Sequence, residues 1–347
     1  MWDRYTVRRK LNSFSRKRSW TWAPALPIRA WVIPTSRCNL MCRTCGRDQL
    51  SEEQFQFMDM PEAVYERVRR ELLPGLQEVY LTGGGESFVA PIFYRMLDEL
   101  LTPDRRVWIV TNGTILRPEY LERIVRAPAV LRVSLDGLSD EVMRHIRGIG
   151  LDRVIRFLDT IQEIAARGRH PGFSLELSWV VTRSNVEQMP DAVDLAARYG
   201  ATMVNFQSFR VAGRLDAFAH EESLIDAPEI VRPWWQKAFE RGLARGVAVP
   251  PVVFTPRQYE VDPRQVPIPR NGDRIPQCPI PWWSTLIETN GTVRACCLFP
   301  QHEILGNVLE QPFRAIWNGA KYRELRRTVN TAEMPEACRY CIMPVRI

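Results

Sequence analysis

Three cysteines fall within eight positions of the segment "SRCNLMCRTCGRD" (residues 36–48): Cys38, Cys42 and Cys45, spaced C-x3-C-x2-C. Thiolates bind both zinc and iron–sulfur clusters, and their number helps to separate the two. A structural zinc site takes four ligands in a closed tetrahedron. Three thiolates on one loop suit a [4Fe–4S] cluster whose fourth iron is left open to another ligand. On this reading the missing fourth cysteine is the working position.

The other five cysteines are Cys278, Cys296, Cys297, Cys338 and Cys341, and none lies between 46 and 277. Four of them form a pattern: Cys278, twelve residues, Gly291, four residues, Cys296, then Cys338-x2-Cys341. Cysteine clusters in a chain without an export signal bind metal more often than they pair as disulfides. Taken on its thiols alone, this set is open to zinc as well as to iron–sulfur. Cys297 is surplus and reads as a plain buried thiol.

The elements that position these loops show in the hydrophobic periodicity. Strand patterns occur at 30–35, 78–83, 106–112, 130–136, 174–182 and 203–209, with amphipathic helical runs between them. Two of those runs, beginning at Met60 and Leu151, close on Gly75 and Gly168. Six βα repeats predict an α/β fold, a parallel barrel or an open part of one, with its chemistry at the C-terminal mouth. Cys38 follows the first strand directly, as that rule expects. After the sixth strand the repeat stops. One helix is expected near 227–246, then a bridge with nine prolines between 250 and 281. "STLIETNGTVRACC" reads as a hairpin turning at Asn290-Gly291, and a helical run, "QPFRAIWNGAKYRELRR", follows it. The expected divisions are a basic arm (1–29), the barrel (30–212), the bridge (213–277) and a small cysteine-bearing domain (278–347).

Alternation along the strands selects the residues that face the lumen. Leu175, Leu177, Trp179 and Val181 should face the helices, which leaves Glu176, Ser178, Val180 and Thr182 inward. Arg132, Ser134 and Asp136 point inward from the fourth strand, and Asn205 and Gln207 from the sixth. Polar groups in a barrel interior are costly unless paired or met by a polar ligand. Glu176, Ser178, Asn205, Gln207 and Arg210 are therefore the substrate candidates, with Arg132 a ready partner for Glu176.

The chain of 347 residues is 45% apolar and 25% charged, enough for a large α/β domain and a smaller one. No apolar run reaches 18 residues, and the start lacks a secretory h-region, so a cytoplasmic enzyme without membrane spans is expected. Of the net charge of +7, residues 1–20 carry seven Lys/Arg against one acid. The basic character is thus a local arm, expected to be solvated and to lie over the barrel. No nucleic-acid-binding signature accompanies it.

The C-x3-C-x2-C loop after the first barrel strand resembles that of the radical S-adenosylmethionine (radical SAM) enzymes. Further matches are "TGGGES" (82–87) after the second strand, "SLDG" (134–137) after the fourth and "VVTRSN" (180–185) after the fifth. The resemblance covers about residues 30–210 and implies a partial (β/α)6 barrel. In that family Cys38, Cys42 and Cys45 would hold a [4Fe–4S] cluster whose open iron chelates SAM. Reduction of the cluster then yields a 5′-deoxyadenosyl radical that abstracts a substrate hydrogen. Gly84, Gly85 and Glu86 would contact the SAM amino group, Ser134 and Asp136 the ribose region, and Arg183 or Asn185 the SAM carboxylate. Thr44 departs from the aromatic residue common before the third cysteine, so adenine contacts must come from elsewhere.

The second cysteine set resembles the front half of a SPASM domain, cut short as in the Twitch form. That implies an auxiliary [4Fe–4S] cluster held by Cys278, Cys296, Cys338 and Cys341 and used for electron transfer. In spacing it looks most like dehydrogenases that oxidise an aminocyclitol alcohol. The leading expectation is therefore oxidation of a small polar, sugar-like substrate, with Glu176 as candidate base and a flavodoxin or ferredoxin as reductant. Decarboxylation of a sugar acid, as in cytosylglucuronate decarboxylases, and peptide maturation are the alternatives.

Overall fold

Helix and strand alternate along the chain because the apolar residues switch between periods of about 3.6 and 2. The computed structural model describes residues 4–45, 57–209, 216–252, 278–297, 303–335 and 338. A helix, α1 (Arg4–Lys17), precedes β1 (Arg29–Val32). Then come α2 (Glu62–Glu71), β2 (Glu78–Leu81), α3 (Pro91–Leu100), β3 (Arg106–Thr111), α4 (Pro118–Val125) and β4 (Ala129–Ser134). Two helices, α5 (Asp140–Arg147) and α6 (Leu151–Ala166), separate β4 from β5 (Ser174–Val181), and α7 (Met189–Arg198) leads to β6 (Met203–Ser208). They are followed by α8 (Ala217–Glu222) and α9 (Pro228–Arg245). The C-terminal part holds α10 (Ile280–Trp283), β7 (Ser284–Ile287), β8 (Thr292–Arg294), β9 (Gly306–Asn307), α11 (Phe313–Trp317) and α12 (Ala320–Thr328).

The strands form one sheet in the order β6-β5-β4-β3-β2-β1-β7-β8-β9. Strands β1 to β6 pair in parallel with their sequence neighbours, each crossover carrying helices on the outer face. β7 pairs in parallel with the other side of β1, from Arg29↔Ser284 to Val32↔Ile287, and runs antiparallel to β8. The cysteine-bearing C-terminal region is therefore an extension of the barrel sheet. Its hairpin turns where predicted, with Gly291 at φ +85°, a conformation that only glycine adopts without strain.

Leu175, Leu177, Trp179 and Val181 are buried in the main core with the inward stripe of α6, Val154, Phe157, Leu158, Ile161 and Ile164. Burying each such side chain contributes about 1.5–3 kcal/mol. The opposite phase of the sheet lines the lumen. Its floor is a ladder of stacked rings, Trp31–Tyr80 at 4.6 Å and Tyr80–Trp108 at 5.2 Å between centroids. Beside the ladder, Arg132 donates to Glu176 Oε2 through Nε (2.9 Å) and Nη2 (2.6 Å).

Two expectations change here. The helical run after the hairpin is broken: α11 ends at Trp317 and α12 starts at Ala320, with Gly319 between them. A Cβ on Gly319 would stand 2.9 Å from the Ala315 carbonyl oxygen. The break lets Trp317 and Tyr322 pack together, 4.7 Å between ring centroids, in one core. The basic arm, expected to be solvated, is the helix α1 followed by a strap tied to the C-terminal region. Trp282 Nε1 donates to Trp20 O (2.8 Å), Trp317 Nε1 to Ala25 O (2.9 Å) and Arg326 Nη1 to Thr21 O (2.9 Å). Asn318 both accepts from Ala23 N and donates to Ala23 O. Among the described residues no helix is long and apolar enough to cross a membrane.

Candidate active site

Beyond β1 the chain zips to the segment before α2. Ser36 N donates to Met58 O (3.0 Å), Met60 N to Pro34 O (2.8 Å), and Thr35 Oγ1 to Asp59 Oδ1 (2.6 Å). This stem delivers the three-cysteine loop to the mouth of the barrel. A tight turn joins two of the thiols, with Cys45 N donating to Cys42 O (2.9 Å). α5 steadies the same turn, its Ile146 carbonyl accepting from Arg43 N (2.8 Å).

The glycine motif is built against that loop. Glu86 N donates to Arg37 O (2.8 Å), and a Cβ on Gly85 would lie only 2.1 Å from the same carbonyl oxygen. Gly85 is thus required by the close approach of two backbones. The Glu86 carboxylate turns inward, accepting from Phe88 N (3.2 Å), Thr111 Oγ1 (3.0 Å) and Asn112 N (2.5 Å). Burial raises this carboxyl above its ordinary range, only partly offset by the bonds from Asn112, Phe88 and Thr111. The Glu86 side chain thereby locks β2's loop to the end of β3. Gly83 is exposed and Gly84 and Gly85 partly so, which leaves the glycines of the motif open to a ligand.

Asp136 is also engaged by the protein. Its carboxylate accepts from Arg147 Nη1 (2.9 Å) and Val180 N (2.7 Å). Burial pushes the Asp136 carboxyl up, against the pull of Arg147. Arg147 also acts on Cys42: burial pushes that thiol up to about 11, and Arg147 opposes the rise, while Asp136, Cys45 and Cys38 add to it. Cys42 therefore feels both a buried cation and the other two thiols. Ser134, Ser178 and Asn205 occupy register partners on β4, β5 and β6, one partly exposed rung of the lumen. Gln207 Nε2 donates to Ser178 Oγ (3.2 Å). Glu176 lies one step deeper and is held by Arg132. Arg183 is exposed and its Nε donates to Glu221 O (3.1 Å), whereas Asn185 is buried and ties Asp136 O to Val180 O. Arg210 lies outside the described residues.

Sequence reasoning missed two groups. Asn112, which ends "VWIVTN", points its Nδ2 at Cys38 Sγ (3.8 Å) and Asn39 Oδ1 (2.8 Å), while Thr114 N and Oγ1 donate to its Oδ1. Its place just after a barrel strand was the available signal. The second is Glu222 on α8. It accepts from Ser184 N (2.9 Å) and Oγ (2.8 Å) and pairs with His145 Nε2 (2.8 Å). Phe218 of the same helix lies under Arg43, whose guanidinium carbon is 4.0 Å from the ring centroid. α8 thereby joins the cysteine loop, α5 and the loop after β5, a juxtaposition no local pattern announces.

In the C-terminal region Cys278, Cys296 and Cys338 are each partly buried, and Cys341 lies outside the described residues. Asn330 clamps Cys278, accepting from its N (2.7 Å) and donating to its O (3.3 Å). Cys297, expected to be buried, is exposed, because it follows β8 where the chain leaves the sheet. Trp282 is fully buried beneath the N-terminal strap. Among the described residues no three His, Cys, Asp or Glu side chains converge on a single metal ion. The donor set at the mouth is three thiols on a glycine-cradled loop beside a buried arginine. That set fits a [4Fe–4S] cluster, whose irons spread their thiolates more widely than one ion does.

Comparison with known proteins agrees with this geometry. Residues 32–196 match the radical SAM superfamily and residues 278–342 an iron–sulfur cluster-binding (SPASM) domain. The mycofactocin maturase MftC of Mycobacterium tuberculosis is 29% identical over 308 residues, 85% of this chain and 71% of that protein. The subtilosin biosynthesis protein AlbA of Bacillus subtilis is 25% identical over 327 residues, 91% of this chain and 64% of that protein. An AdoMet-dependent heme synthase of Methanosarcina barkeri is 25% identical over 321 residues, 90% and 87% of the two chains. In fold, the chain is similar to Streptococcus suis SuiB bound to its precursor peptide SuiA, with a TM-score of 0.67, 16% identity and coverage of 96% and 74%. The chain belongs to the radical SAM superfamily and carries a C-terminal SPASM/Twitch-type iron–sulfur domain, which together imply two [4Fe–4S] clusters and S-adenosylmethionine as its cofactors.

Proposed function

We propose that this radical SAM enzyme is a maturase that modifies a peptide. The observation that carries the reading is the similarity to the mycofactocin maturase, which extends over 85% of this chain. It takes the place of the sugar-like substrate expected from the auxiliary cysteine spacing. That spacing reports how a cluster is held, and a cluster is held alike whatever the substrate.

Cys38, Cys42 and Cys45 would hold the SAM cluster, and Cys278, Cys296, Cys338 and Cys341 the auxiliary one. When bound, cluster and SAM supply a 5′-deoxyadenosyl radical that removes a substrate hydrogen. The chain's own residues shape where that happens. The exposed backbone at Gly83 and Gly84 leaves room for the SAM amino acid moiety beside the cysteine loop. Asp136, fixed by Arg147 and Val180, orders the end of β4, so that Ser134 presents its hydroxyl at the lumen. Ser134, Ser178, Asn205 and Gln207 offer hydroxyl and amide groups to the carbonyl and N–H groups of an extended peptide. Arg132 holds the Glu176 carboxylate against the lumen wall, so Glu176 orients this lining instead of acting as a base. A flavodoxin or ferredoxin would deliver the electrons.

The test is an anaerobic assay of the reconstituted protein with SAM, reductant and deuterated candidates: precursor peptides, polyols and uronic acids. Deuterium in 5′-deoxyadenosine, with a mass change in a peptide, is the expected result. Transfer only from a polyol or uronic acid would overturn the reading in favour of small-metabolite oxidation or decarboxylation.

A further inference from the structure

Helix α1 meets the rest of the molecule through polar residues. Asn12 and Ser15 are fully buried, Asn12 Nδ2 donates to Leu26 O (3.3 Å), and the Arg8 side chain reaches Gly75 beyond α2. About a quarter turn away, Val7, Leu11 and Phe14 align at i, i+4 and i+7. They are 42%, 38% and 46% exposed, and Trp20 and Trp22 beyond them are 44% and 51% exposed. An amphipathic helix ordinarily buries its apolar stripe. This one leaves the stripe in water and continues it with Trp20, with the exposed Trp22 two residues on, which marks an interaction surface.

The patch is ordered by the fold. Ser19 takes a left-handed conformation, φ +51°, which a non-glycine residue adopts only at a cost in strain. Trp20 N donates back to Ser15 O (2.9 Å), and the turn sets Trp20 edge-on against Phe14 with 5.1 Å between centroids. Arg18 lies 5.4 Å from the Phe14 centroid. The charge along this segment has one sign: residues 4–28 contain seven Arg and Lys and no Asp or Glu. Arg9, Lys17 and Arg18 are exposed.

The occupant must therefore be anionic at its surface and apolar beneath. We infer that α1, Trp20 and Trp22 seat the enzyme on an anionic lipid bilayer. The helix lies in the headgroup plane with its apolar stripe toward the acyl chains and its cations on lipid phosphates, while its polar face grips the protein. Tryptophan suits the boundary between headgroup and chain, and the basic stems lie along apolar surface with their charges in water. The attachment is to the surface only, and it does not depend on the substrate being a peptide.

Sedimentation of the full-length protein with vesicles tests this. Vesicles containing phosphatidylglycerol should carry the protein down, vesicles of phosphatidylcholine alone far less, and added salt should weaken the binding. The triple variant Val7→Ser, Leu11→Ser, Phe14→Ser should bind phosphatidylglycerol vesicles at least about tenfold more weakly. Lys17→Gln with Arg18→Gln should weaken binding about tenfold on anionic vesicles alone. Circular dichroism should show the fold retained, because none of the substituted side chains lies in the core. Absence of anion-dependent sedimentation, or sedimentation that the triple variant leaves intact, overturns the proposal. So does a dimer or a complex with an acidic protein that the triple variant dissolves while vesicles are ignored, for the stripe would then belong to a protein partner.

Discussion

At the scale of single residues, the mouth of the barrel depends on close approaches between backbones. Gly85 is the sharpest case, since a methyl group there meets the Arg37 carbonyl at 2.1 Å and must push the cysteine loop away. Displacements of about 1 Å can cost roughly 100-fold in rate. Gly85→Ala should therefore lower 5′-deoxyadenosine formation by about that factor while far-UV circular dichroism is unchanged. An unaltered rate would show that the loop has room to give. Deeper in the lumen, Glu176→Gln should lower stability by about 3 kcal/mol, the low end for breaking a buried ion pair, since Arg132 keeps some contact with water. The urea midpoint reads this directly. Replacing both partners with leucine should restore most of the loss, because no uncompensated charge remains.

Among the elements, α8 is the shortest of those that order the mouth, and it is held there by a carboxylate that acid neutralises. Burial acts to raise the Glu222 carboxyl, but the bonds from Ser184 and His145 outweigh it and the group titrates below its ordinary range. A carboxyl depressed in the folded state contributes stability above its unfolded value, about pH 4.3. That contribution disappears as the pH falls further, through the lower folded value. Glu222→Gln should therefore be less stable than the parent at pH 7, and the gap should close below about pH 4. Chemical denaturation at the two pH values checks the sign, and a gap that persists in acid would mean that Glu222 acts only through packing.

Across the whole molecule, the N-terminal strap fastens the barrel to its C-terminal extension. Asn318 makes two bonds to Ala23 and stands 3.4 Å from Arg326 Nη1. Asn318→Ala would leave the Ala23 amide without its partner, at a cost of about 1–3 kcal/mol. The loss should show in global unfolding, because β7 is a strand of the same sheet as β1 and the two regions should unfold together. A separate early transition would indicate two independently folding units.

The succession of six βα repeats, the lumen-facing phase and the thiols at the mouth were all legible in the sequence. They depend on short-range periodicity and on residue types with few other uses: a period-2 strand must turn alternate residues to the same face, and three close cysteines have little else to do. The tertiary structure decided what the side chains actually meet. It directed Glu86 and Asp136 into the protein, brought Glu222 to His145 across 77 positions, joined β7 to β1 and turned the apolar side of α1 outward. None of these could be read locally, because each is settled by a competition among partners distant in sequence, and the lowest free energy belongs to the folded chain as a whole.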